Sequence, residues 1–156
     1  MKLHDIDYFK YGKIENKKFW KRLGSKPDFK NKKVLDFGCG HGSLTLDIAA
    51  LGAQKVIGID LEINLINFAK KNLDQNFPAL KDKVEFELID LLTTDKFKDI
   101  DYIVSKDTFE HSLHLDKILE KFHQILKKDG RIFVGFGPLY NFYNGDHGRA
   151  EAILPW

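Results

Sequence analysis

Nine residues, Val34-Leu-Asp-Phe-Gly-Cys-Gly-His-Gly42, restrict what this chain can fold into more than any other stretch. A short apolar run stops in three glycines at alternate positions. Helical spacing then begins at once, with Leu44, Ile48 and Leu51. Strand, tight glycine turn and helix in immediate succession form the opening of a βα unit. Glycines at such a turn let the backbone bend sharply and let a ligand lie against bare main chain, where a Cβ would intrude.

The rest of the chain repeats this alternation. Val56 to Asp60 predicts a second strand and Ile63 to Leu73 a second helix. Val84 to Ile89 and Asp101 to Ser105 predict two more strands. Asp116 to Lys128 predicts an amphipathic helix on Ile118, Leu119, Phe122, Ile125 and Leu126. Asp129-Gly130 is the expected turn into a fifth strand, Arg131 to Gly135. Alternation with short connections argues an α/β fold, a doubly wound and mainly parallel sheet with helices on both faces. Such sheets bind ligands at the carboxyl ends of their strands, so the residues just after each strand matter most. Ahead of them, Glu15 to Leu23 carries Phe19, Trp20 and Leu23 at helical spacing, and Gly24-Ser-Lys-Pro27 breaks the pattern.

At 156 residues the chain has the length of a single domain. The expected division is a basic helical arm, 1–32, and a ligand-binding domain, 33–156. Residues 1–33 hold 11 Lys and Arg against four Asp and Glu, so the arm is strongly positive ahead of an acidic body. That asymmetry suits either an anionic partner or a solvated lysine-rich helix. No run reaches the roughly 20 apolar residues of a membrane span, and no apolar segment follows the first residues as in a secretory signal. Cys39, the single cysteine, forms no internal disulfide and no zinc site by itself, so a cytoplasmic protein without a metal is expected.

The strand ends carry acids. Asp36 precedes the first glycine by two positions and would sit badly beside a pyrophosphate, but it suits a ligand with an ammonium group. The spacing Gly38-x-Gly40-x-Gly42 also differs from the Gly-x-Gly-x-x-Gly of dinucleotide loops. Asp60 ends the second strand, where an acid can accept from both ribose hydroxyls or cap the next helix. Asp90 follows the third strand and can accept from an adenine amine while Leu91 packs on the ring; capping is again the alternative.

In order and spacing, Val34–Gly42, Gly58-Ile-Asp60, Asp90, Asp101–Ser105 and Leu126-Lys-Lys-Asp-Gly130 resemble the class I S-adenosylmethionine-dependent methyltransferases. The likeness runs from about Lys33 to about Phe136. It implies a Rossmann-like sheet in the order 3-2-1-4-5, lacking the usual final two strands. It implies S-adenosylmethionine as cofactor and S-adenosylhomocysteine as product. Asp36 would hold the methionine ammonium, and Gly38, Cys39, Gly40 and Gly42 would line the cofactor. Asp60 would meet the ribose, Asp90 and Leu91 the adenine, and Leu61 and Lys106 would complete the set. Ser105-Lys-Asp-Thr-Phe-Glu-His111 resembles the segment of members that methylate small molecules. The Asn/Asp-Pro-Pro-aromatic motif of amine-directed nucleic-acid enzymes is absent there.

A small-molecule methyltransferase is therefore the leading expectation. A non-catalytic S-adenosylmethionine-binding subunit or remnant, and an RNA methyltransferase using the basic arm, are the alternatives. His111 and His147 are the candidate bases, since imidazole titrates near working pH. Tyr8, Phe9 and Tyr11 are candidates for a lid, and Gly137 to Tyr143 for a substrate wall. The fifth strand would be an apolar edge, and such an edge invites homo-oligomerisation.

Overall fold

A computed structural model describes residues 2–136. Its sheet has five strands, β1 (Lys33–Phe37), β2 (Lys55–Asp60), β3 (Val84–Leu88), β4 (Ile100–Lys106) and β5 (Leu126–Gly135). They stand in the order β3-β2-β1-β4-β5, and every pair is parallel. Four helices accompany them: α1 (Leu3–Arg22), α2 (Ser43–Ala50), α3 (Ile63–Asn76) and α4 (Leu115–Ile125). The strand order reverses beside β1, so the ends of β1 and β4 part and leave a crevice at their carboxyl ends.

Period-two alternation divides the strand residues between two cores. Val34, Val56, Val84 and Val104 join Phe9, Phe19, Trp20, Leu46, Ile48 and Phe68 on the face covered by α1, α2 and α3. Leu35, Ile57, Ile59, Ile100 and Ile103 join Phe97, Ile118, Phe122 and Ile125 on the face covered by α4. Both faces are covered over the central strands, which is why Val34–Leu35 and Val56–Ile57 are apolar at consecutive positions, whereas the edge strand β3 alternates Val84, Glu85, Phe86, Glu87 with Glu85 exposed.

Two boundaries differ from expectation. The first helix begins at Leu3, well ahead of Glu15. Gly12 in its middle lowers intrinsic helix propensity by about 1 kcal/mol. Yet a Cβ there would lie 2.5 Å from Ser43 Oγ, so the glycine is what lets α1 cross the start of α2. Asn16 then donates from Nδ2 to Asp47 of α2. Tertiary contact, not local pattern, sustains the first half of α1. The second difference is α4, which stops at Ile125 rather than Lys128, with β5 starting at Leu126. Leu126 pairs with Ile100 and Arg131 with Tyr102, so Lys127–Gly130 bulge out of the ladder. The expected Asp129-Gly130 turn is thus a bulge inside a longer strand.

β5 pairs only with β4 among the described residues and forms one edge of the sheet. Ile132 is 39% exposed on it, and Phe136 just beyond it is 43% exposed. No helix among the described residues is long and apolar enough to cross a membrane.

Candidate functional site

A cavity of about 810 Å³ opens at the carboxyl ends of β1, β2 and β4. It forms because the chain leaves each of these strands by a different device. β1 passes into the glycine turn, whose N–H groups are stitched to the end of β2: Gly38 and Cys39 both donate to the carbonyl of Ile59, at 2.9 and 3.0 Å. Gly40 donates 2.8 Å to Asp60 Oδ2, and Glu62 donates 3.0 Å to Asp60 Oδ1. Each oxygen of Asp60 accepts one backbone N–H and keeps a second lone pair for a ligand. Glu62 caps α3 by accepting from Asn64, so Asp60 is not the cap.

Gly40 adopts φ +52°, and a Cβ on it would meet nothing within 4 Å. The turn therefore faces open cavity there, bare backbone presented to whatever fills the crevice. Gly42, at φ +80°, is the left-handed N-cap of α2, and its absent Cβ leaves room for the ring of Phe86, which would stand 2.5 Å away. Of the ten residues expected along the cofactor, Gly42 alone does not line the cavity.

Asp36 is 1% exposed at the cavity floor and accepts 2.6 Å from Thr45 Oγ1. Burial pushes its carboxyl up to about 6, against the Thr45 hydrogen bond and the charge of Lys106. A buried carboxylate with one hydroxyl partner is under-solvated, a condition that a cationic group of a ligand would relieve. Burial and the negative charges of Asp36 and Asp60 push the Cys39 thiol well above its ordinary range, so this cysteine packs rather than reacts.

Asp90 follows β3 and accepts from Leu92 N at 2.9 Å, capping the short turn Leu91–Thr93. Its capping role is thus real, and it also lines the cavity beside the buried Leu91. Leu61 lines the opening and is 72% exposed, an apolar side chain standing free at a pocket mouth. Lys106 ends β4. Burial lowers its ammonium, while Asp107, Asp36 and Glu15 draw it back up. Asp107 follows at φ +55°, and its N–H donates 2.8 Å to the carbonyl of Gly135. His111 lies on the short turn Phe109–His111 and also reaches the cavity. His147 and the segment Gly137 to Tyr143 lie outside the described residues.

The structure adds a wall that motif reading did not supply. His4, Tyr8, Tyr11 and Glu15 of α1 line the cavity, together with His41, Thr108 and His114. Of the three candidate lid aromatics, Tyr8 and Tyr11 face the site, whereas Phe9 is buried against Phe68 and Phe77. Tyr8 also packs on His41 at 4.7 Å between ring centres, which ties α1 to the glycine turn. Their spacing of three and four residues was the available signal, masked because the opposite stripe of α1 carries the apolar residues.

Residues 28–136 match the model of the family described as "Methyltransferase domain". Phosphoethanolamine N-methyltransferase 1 of Zea mays is 36% identical over 125 residues, covering 79% of this chain and 23% of that protein. Ubiquinone biosynthesis O-methyltransferase of Pelagibacter ubique is 33% identical over 152 residues, covering 97% of this chain and 60% of that one. Among solved structures, coclaurine N-methyltransferase bound to N-methylheliamine and S-adenosylhomocysteine is 25% identical, with a TM-score of 0.62, over 78% of this chain and 34% of that one. The chain spans about a quarter of the length of the first curated relatives it matches.

Proposed function

The chain belongs to the methyltransferase-domain family, and on that basis we propose that it binds S-adenosylmethionine in this cavity and methylates a small molecule. The observation that carries the reading is the convergence of Asp36, the Gly40 backbone, Asp60, Leu61, Asp90 and Leu91 on one crevice at the strand ends. The open face of Gly40 and the under-solvated Asp36 fit the nucleoside and the ammonium of that cofactor in turn. Bound there, S-adenosylmethionine supplies a methyl group already activated on a sulfonium.

The chain's own residues do the positioning, which is worth several kcal/mol in such a displacement. Asp36 holds the ammonium, Asp60 the ribose hydroxyls, and Asp90 with Leu91 and the exposed Leu61 the adenine. Tyr8, Tyr11 and Lys106 bound the acceptor end and exclude water from it. Where the acceptor is a hydroxyl, His111 takes its proton as the new bond to carbon forms. His147 is the second proposed base.

Calorimetry tests the binding half. Wild type should give a saturable heat with S-adenosylmethionine, and Asp60→Ala should lose it; no heat with wild type overturns the reading. Turnover to S-adenosylhomocysteine with a panel of amines, phenols and acids tests the catalytic half against a binding-only subunit. We further propose the cytoplasm as its compartment, from the single buried thiol, and pairing of the β5 edge with a second copy.

A further inference from the structure

One stripe of α1 runs His4, Tyr8, Tyr11, Glu15, Lys18 and Arg22, at alternating steps of four and three that keep a single helix face. Its first four members line the cofactor cavity. Its last three, with Lys21, line a second depression of about 500 Å³, and Glu15 belongs to both. The two adjoin at Glu15, so the trough along this helix face is cationic at its Arg22 end.

Packing fixes where this extension lies. Phe19 approaches the backbone of Gly135 so closely that a Cβ there would meet its ring at 2.8 Å. The Gly135 carbonyl in turn accepts from Asp107 N. The segment Glu15–Arg22 thus lies over the Lys106–Asp107 turn, and Arg22 is near enough for its charge to act on both. Lys18 is bound to Glu15 at 2.7 Å, but Lys21 and Arg22 form no salt bridge among the described residues. The cations Lys18, Lys21, Arg22 and Lys106 share this side with the carboxylates Glu15, Asp107, Asp36 and Glu110, and the carboxylates gather around Lys106 and Asp107, so the positive charge left over lies at the outer end, on Lys21 and Arg22.

We infer that the methyl acceptor is a small molecule carrying an oxyanion, phosphate or carboxylate, seated between Arg22, Lys21 and Lys106 while its reacting atom lies beside Tyr11 and His111. Glu15 to Arg22 spans about 10 Å of helix, which sets the reach between the anionic group and the reacting atom. The guanidinium offers a planar, paired set of donors to such a group, and Lys106 offers a compact charge from the end of β4. This rests on the methyltransferase reading above, but concerns the acceptor alone.

The test is an NMR titration of the isotope-labelled protein, loaded with S-adenosylhomocysteine, with inorganic phosphate and then acetate. Phosphate should shift the amides of Glu15–Arg22 and Lys106–Thr108 saturably. Arg22→Gln should weaken that response about tenfold or more, as loss of a charge-assisted contact does. Lys26→Gln, which removes the same charge outside the trough, should leave it unchanged. Calorimetry with S-adenosylhomocysteine is run on each variant, so absence of cofactor binding reports on the function reading and not on the anion trough. No saturable response to either anion in these segments, or a response equal in Arg22→Gln and wild type, overturns the inference. So does an RNA oligonucleotide that shifts these amides with steep salt dependence while both small anions are silent.

Discussion

Asp36 sets a cost against a use. Its carboxyl ionises near 6 in the fold and near 3.8 in an unfolded chain, because burial disfavours the charge. The unfolded state is therefore favoured as pH rises: the penalty is absent below about pH 4, grows through about pH 6, and reaches roughly 3 kcal/mol above it. Asp36→Asn keeps an oxygen for the Thr45 hydroxyl and removes the charge. It should raise the urea midpoint near pH 8 but not near pH 4, while weakening S-adenosylmethionine binding tenfold or more. A variant no more stable than wild type at the higher pH contradicts the assignment. The glycines separate in the same way. Gly40→Ala meets only backbone strain, of order 1–2 kcal/mol, and should lose more in cofactor affinity than in stability. Gly42→Ala adds a collision with Phe86 to the strain and should cost about 2–4 kcal/mol in denaturant unfolding.

At the scale of elements, α1 joins the core to the cavity wall. The buried Phe19 and Trp20 pack against each other at 4.5 Å, and Trp20 meets Phe29 at 5.5 Å. Phe19→Ala should cost about 3–5 kcal/mol in urea unfolding, because it opens a cavity under the helix. In the folded protein it should also raise the acceptor KM more than the cofactor Kd, since Phe19 seats α1 on the Gly135–Asp107 link. The strands and central helices were legible from period and punctuation, because a buried parallel sheet forces apolar runs between breakers. The first half of α1 was not. Leu3 to Ile14 has weak periodicity and a mid-helix glycine, and its order comes from the contact with Ser43 rather than from its own residues. The end of α4 was misplaced for a related reason: pairing with Ile100 captures Leu126 for the sheet.

For the whole molecule, the outer side of β5 is the surface most suited to pairing with a second copy. Ile132 and Phe136 leave apolar area beside backbone groups at that edge that pair with no other strand among the described residues. Light scattering should find a particle larger than one chain, and Ile132→Lys should shift it toward the monomer, because a charge on an edge strand opposes pairing. A wild type that is strictly monomeric rules out the edge pairing.

What the sequence determined by itself is the local chemistry: a strand ending in Gly38, Gly40 and Gly42, acids at 36, 60 and 90, and the alternation that marks out five strands between helices. Those are properties of short segments, and strand and turn geometry follow from residues close in the chain. Tertiary structure alone decided which groups share a wall. The burial that raises Asp36, the seat of Tyr8 on His41, and the seat of Phe19 against Gly135 each join segments tens of residues apart. No local pattern encodes such distances, because they are set by how α1 packs across the sheet.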